Sequence, residues 1–142
     1  ARKLRAFLDL AGRSGGMQAL LRRDAVELRQ LLLATWGIGP ETADAILVFA
    51  ARHVAFVIDA YTQRLFTRLG YGPGVVVGSD ASYEEWQRWF TDRLPPDRDL
   101  FARYHSLIVL HCKPLCLKLR PRCGDCLLNQ QCAYRAGAAQ GG

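Results

Sequence analysis

Leu33-Ala34-Thr35-Trp36-Gly37-Ile38-Gly39-Pro40-Glu41-Thr42-Ala43-Asp44 is the stretch on which the reading of the fold turns. Two glycines flank one apolar residue between two segments of helical character. Upstream, Asp24 reads as an N-cap with Glu27 three residues on, a capping box that opens a helix through Val26, Leu28, Leu31, Leu32 and Thr35. Downstream, Pro40 occupies a first helical position, where a missing N–H is tolerated, and Ala43, Ile46, Leu47 and Ala50 carry a second helix to about Arg52. Glycine permits positive φ and lets a ligand reach the backbone, while the first turn of the second helix offers unpaired N–H groups. Such a turn can hold a phosphate, with Ile38 packed inward as its anchor. On these residues alone, an ordinary helical hairpin closed by a glycine C-cap serves equally well.

Outward from the hairpin, apolar positions keep a spacing of three and four, which predicts an all-α chain. Leu4, Phe7, Leu8 and Ala11 mark a first amphipathic helix that stops at Gly15-Gly16. Val54-Ala55-Phe56-Val57-Ile58 reads as a buried extended connection or strand-like piece delivering the chain to Asp59, after which Ala60 to Leu69 is helical. A glycine-rich loop over 70–78 precedes a second capping box, Ser82 with Glu85, and a helix through Trp86, Trp89 and Phe90. Pro95-Pro96 breaks that helix. A long one follows from about Asp97 to Leu110, and the tail from Gly137 is expected to be disordered. His53, His105 and His111 are assigned structural roles, and Trp36, Trp86 and Trp89 are expected in the core, with Trp36 placed at the hairpin.

The 142 residues allow about one domain, and 50% hydrophobic with 23% charged residues is a globular composition, which excludes disorder. No apolar run approaches the roughly 18 residues of a membrane span and no signal-peptide pattern opens the chain, so a cytoplasmic location without membrane contact is expected. The net charge of +6 points towards a polyanion such as nucleic acid. Three of the nineteen basic residues are lysines, Lys3, Lys113 and Lys118, and the rest are arginines.

The five cysteines, Cys112, Cys116, Cys123, Cys126 and Cys132, are bunched near the C-terminal end. A disulfide-stapled fold would scatter them, so the bunching reads as a metal loop in a reducing compartment. Cys116, Cys123, Cys126 and Cys132 follow the pattern C-x6-C-x2-C-x5-C, and four thiolates so close would repel one another without a cation to neutralise them. Tetrahedral zinc and a four-iron four-sulfur cluster both take four cysteines. With a single close pair, the spacing favours the 4Fe-4S cluster. Cys112, one helical turn before Cys116, reads as a small buried hydrophobe outside the ligand set.

Residues 31–59, with Gly37-Ile38-Gly39, Thr42-Ala43 and then Ile58-Asp59, resemble the helix-hairpin-helix motif and trailing aspartate of the endonuclease III superfamily of DNA glycosylases. The cysteine spacing at 116–132 is similar to that family's iron-sulfur loop at all four positions, and Pro121-Arg122-Cys123-Gly124 adds to the likeness. The resemblance runs from about residue 20 to 134. It implies a helix-hairpin-helix glycosylase fold of two helical domains with DNA in the groove between them. Residues 1–52 would be part of a six-helix barrel ending in the hairpin, and 53–142 a cluster domain. The upstream barrel helices and the family's N-terminal helix lie outside this sequence, which starts with Ala1, so a fragment is expected.

Carried onto this chain, the resemblance implies that Asp59 stands beside the sugar as its carbon turns cationic, and directs water to it. Read alone, Asp59 is equally an N-cap for the helix beginning at Ala60. In the bifunctional branch of the family a lysine two residues after the second hairpin glycine attacks the sugar; here that position is Glu41. A carboxylate cannot form an imine, and no lysine lies near the hairpin in sequence, so a monofunctional enzyme is expected. Glu41 also fits as an acidic residue favoured by the helix dipole. Alternatives are a non-catalytic DNA-binding paralogue and a bifunctional glycosylase using another nucleophile. The expected partner is double-stranded DNA containing a damaged or mispaired base, engaged by a monomer at the nucleoid. Gly37, Ile38, Gly39 and Thr42 would hold the backbone, and Lys118, Arg120 and Arg122 would clamp it, unless those cations only balance the thiolates.

Overall fold

In a computed structural model, residues 1–75 and 80–140 are described; the end of the 70–78 loop, from residue 76, lies outside them. The described residues contain helices and turns and no strand. The chain divides into two compact units, one formed by Ala1–Val57 with Pro96–Ala102 and the other by Ile58–Pro95 with Arg103–Gly142.

In the first unit, α1 (Arg2–Arg13), a short α2 (Met17–Leu21) and α3 (Ala25–Leu33) lead to α4 (Pro40–Ala45). Leu10, Leu20, Leu28, Leu32, Ile38 and Leu47 form its buried core. Asp24 caps α3, accepting from the Val26 and Glu27 amides. The expected reciprocal bond from Glu27 does not form, because the Glu27 carboxylate pairs with Arg23 instead. The second hairpin helix is also less regular than the periodicity suggests. After Ala45 it widens into a π-turn over Ile46–Ala50, with Ala51 N–H reaching back to the Ile46 carbonyl. The apolar run after it is an irregular connection that buries Phe56 and Val57, and the Phe56 ring meets the edge of Phe101 at 5.2 Å.

The second unit holds α5 (Ala60–Leu69), α6 (Tyr83–Thr91), the second part of α7 (Arg98–Cys112) and α8 (Ala133–Gln140). Ser82 and Glu85 make the full capping box of α6. Phe66 packs edge-on against Phe90 at 4.7 Å and Trp89 at 5.6 Å. Trp86 is buried beneath the loop after α5, where Gly72 has φ +89° and a Cβ would come within 2.5 Å of the indole. Residues 137–140, expected to be disordered, continue α8.

The hairpin is braced from inside the first unit. Asp44 on α4 is fully buried, and Arg29 on α3 grips it with two bonds, Nε to Oδ1 at 2.7 Å and Nη2 to Oδ2 at 3.2 Å. A buried carboxylate needs such a fork because its desolvation goes uncompensated otherwise. Replacing Arg29 with Ala should therefore lower unfolding stability by about 3–5 kcal/mol. Denaturant titration checks this, and a loss below about 1 kcal/mol would mean that Asp44 does not depend on the fork.

Candidate active site and cysteine loop

Positions 37–42 of the hairpin take the conformation its residue types allow. Gly37 has φ +80°, a backbone state costly for any residue with a Cβ. Ile38 is buried and its amide closes the turn onto the Thr35 carbonyl at 3.1 Å. Gly39 is extended and exposed, with nothing within 4 Å of where a Cβ would stand, so its contribution is open backbone rather than a left-handed turn. No side chain caps α4, and Glu41 is exposed in its first turn.

Contacts at the hairpin that sequence spacing did not reveal come from α1. Lys3 lays its side chain against Gly37, its Cγ 3.3 Å from the missing Cβ, and donates from Nζ to Thr42 Oγ1 at 3.2 Å. The Arg2 guanidinium stacks at 4.1 Å over Trp36, which is exposed and not in the core. A lysine thus stands beside the hairpin, although none lies near it in sequence.

Asp59 is the N-cap of α5: its Oδ1 accepts from both the Thr62 amide and the Thr62 hydroxyl at 2.7 Å. The residue keeps 7% of its surface exposed, and Oδ2 accepts no hydrogen bond among the described residues. Capping therefore occupies one oxygen and leaves the other. From the same first turn, Ala60 and Tyr61 line a cleft of about 650 Å³ together with Arg64, Lys113 and Lys118. Arg64 stacks on the Tyr61 ring at 5.0 Å. Lys118 and Arg120 are exposed, and Arg122 pairs with Asp125 at 2.7 Å on the surface.

Cys116, Cys123, Cys126 and Cys132 line one pocket of about 370 Å³, and Cys112 lies outside it. Among the described residues no group of three or more His, Cys, Asp or Glu side chains converges as the ligands of a single ion. A tetrahedral zinc would draw the sulfurs to within ~3.8 Å of one another, so four sulfurs that share a pocket without so converging suit a larger group. Cys112 is fully buried and donates to the Tyr61 carbonyl at 3.8 Å. Its hydrogen bond to Cys116, followed by the Arg68 and Arg64 guanidinium groups, draws the Cys116 thiol down to about 5 against the opposing pull of burial. The same bond and burial push Cys112 well above the ordinary thiol range. A metal-binding thiolate is thus favoured at Cys116 and disfavoured at Cys112.

The second unit also supplies polar neighbours that composition could not identify. Arg64 donates to the Cys116 carbonyl at 2.8 Å, Arg68 to the Cys116 sulfur at 3.3 Å, and His111 Nε2 stands 3.5 Å from the Cys126 sulfur. Arg64 and Arg68 lie one turn apart on α5, so the spacing that puts them on one face was present in the sequence, but their target was not.

No family model matches the chain. It is 42% identical over 110 residues to a Methanocaldococcus jannaschii protein assigned to the DNA repair glycosylases, covering 78% of this chain and 47% of that one. Endonuclease III of Sulfolobus acidocaldarius is 32% identical over 111 residues, again 78% of this chain and 47% of the relative. Endonuclease III of Escherichia coli K12 is 27% identical over 77% of this chain and 48% of its own length. The chain spans about half the length of these relatives. A solved endonuclease III trapped as a covalent intermediate with DNA superposes with a TM-score of 0.72 at 23% identity, covering 96% of this chain and 57% of that one. By sequence kinship and by its all-α helix-hairpin-helix fold, the chain is endonuclease III-like.

Proposed function

We propose that this chain serves a DNA glycosylase of base-excision repair, which flips a damaged or mispaired base out of duplex DNA and hydrolyses its glycosidic bond. The observation that carries the reading is the half-used carboxylate of Asp59, capped on Oδ1 and unbonded on Oδ2, next in sequence to residues that line a cationic cleft. As the base departs, C1′ of the sugar gains positive charge. An ionised carboxylate stabilises that charge, and it accepts a proton from the water that attacks C1′. Thr62 keeps the carboxylate in one rotamer by holding Oδ1 twice. Residues 1–52 would then carry the hairpin, with Gly37, Ile38, Gly39 and Thr42 on the DNA backbone, and 53–142 would be the cluster domain. The protein would work as a monomer at the nucleoid; no described helix is long and apolar enough to cross a membrane.

Cys116, Cys123, Cys126 and Cys132 would hold a 4Fe-4S cluster. Bound there, it would neutralise the four thiolates and cross-link the loop. Lys118 and Arg120, exposed on that loop, are the cations free to meet phosphate, whereas Arg122 must first leave Asp125. Glu41 at the position of the family's nucleophilic lysine supports hydrolysis without strand cleavage.

Asp59→Asn retains a capping oxygen, because Asn caps as well as Asp, so the fold should survive. Base release should fall about 100-fold or more while duplex affinity stays within about twofold. Release that persists at the wild-type rate on a panel of lesion duplexes would remove Asp59 from the chemistry; release of no lesion by the intact protein would leave a DNA-binding paralogue. Lys118→Ala should reduce the slope of log affinity against log salt by about one unit without changing lesion preference. An unchanged slope would count against the clamp.

The second reading, a glycosylase with a strand-cleaving step, is favoured by Lys3 at Thr42. Its amine would replace water at C1′ of an abasic site, the aldehyde oxygen leaving as water, to give an imine that borohydride reduces to a stable amine. With a preformed abasic duplex, a covalent adduct lost in Lys3→Ala would establish this reading. Absence of any adduct from the wild type would establish the monofunctional one, independently of which base is removed.

A further inference from the structure

Arg68 leaves the last turn of α5 and enters the cysteine loop with its whole side chain. Nη1 donates to the Cys116 sulfur at 3.3 Å and to the Leu117 carbonyl at 2.7 Å, and Nη2 donates to the Lys118 carbonyl at 3.0 Å. The guanidinium also stacks on the Tyr134 ring, 4.8 Å from its centroid, and the Arg68 carbonyl accepts from the Cys132 sulfur at 3.3 Å. One residue thereby touches the first and the last cysteine of the set. Arg64, one turn earlier, reaches the Cys116 carbonyl and no sulfur, and His111 meets only Cys126.

A planar guanidinium can make these bonds together because its donors lie in a fixed fork; a lysine ammonium in the same place could keep the charge but not the set of directions. A cationic N–H directed at a cluster thiolate lowers the energy of the more negative, reduced state, and hydrogen bonds to sulfur are among the factors that set cluster potentials. Groups that orient and hydrogen-bond metal ligands also govern how firmly the metal is held.

We propose that Arg68 is a positioning residue of the cysteine site: it donates a charge-assisted hydrogen bond to the Cys116 sulfur that raises the reduction potential of the bound cluster, and its carbonyl contacts hold the loop closed. This rests on the cluster reading above. The test compares wild type, Arg68→Gln and Arg68→Lys in the full chain, reading iron and sulfide content, the rate of iron loss to a chelator, and the potential of the retained cluster by protein-film voltammetry. Arg68→Gln should lose iron about tenfold faster, and its retained cluster should reduce at a more negative potential. Arg68→Lys should restore most of the potential but little of the retention. Faster loss with an unmoved potential in Arg68→Gln would reduce Arg68 to a loop tether and overturn the inference. If the Gln variant retains no cluster, the Lys variant decides: faster loss at a near wild-type potential supports the inference, and any other result overturns it. A wild-type chain that binds no iron or sulfide overturns the cluster reading itself, and this inference falls with it.

Discussion

Four sulfurs around one small pocket set the constraint from which the second unit takes its form. Ionised, they repel; protonated, they bury polar groups with few partners. Helix α5 meets that problem with two arginines a turn apart, which bind the loop carbonyls as well as a sulfur. The loop itself has little regular structure, two short 3-10 turns over Cys123–Asp125 and Asn129–Gln131, so its shape depends on these side-chain bonds and on whatever the sulfurs bind. The same helix begins at Asp59. Its ten residues therefore combine a polar cap at one end with a cationic face at the other, and a substitution in α5 that changes only helix propensity would be felt by both.

The first unit solves a different problem with a similar device. A hairpin built on Gly37 and Gly39 has little intrinsic stiffness, since glycine surrenders more conformational entropy on folding than any other residue. Rigidity comes from the two sides: Ile38 inserted in the apolar core, and the Arg29 fork on the buried Asp44. Lys3 and Arg2 add cover from α1. The exposed backbone at Gly39 is thus supported from beneath without being covered, which suits a surface that has to meet a phosphate chain.

Sequence reading located the parts that depend on local chemistry. Asp24, Ser82 and Pro40 marked helix starts because caps act within one turn, and Asp59 was recognisable as a cap and as the residue trailing the hairpin. The cysteine spacing gave the four sulfurs that share a pocket. Contacts between residues far apart in the chain were not legible. Lys3 to Thr42, Arg29 to Asp44 and Arg68 to Cys116 each join distant residues, and no periodicity encodes a partner at that range. Glu27 failed as half of a capping box for a related reason: Arg23 offered its carboxylate a charged partner in competition with a backbone amide. Trp36 misled because a large aromatic ring is ordinarily core material, whereas here a guanidinium shields one face of it at the surface.

The π-turn over Ile46–Ala50 has a bearing on how this chain tolerates changes of length. Its ring, closed by the Ala51 amide on the Ile46 carbonyl, encloses one residue more than a regular α-turn. Deleting a single residue there would restore ordinary helical winding, and everything leaving the helix would swing by about 100° around its axis. Phe56 and Val57 would then depart in the wrong direction for the slots that now bury them. An apparently redundant residue in the widened turn consequently acts as a spacer, and variation in chain length is better absorbed at exposed loops than here.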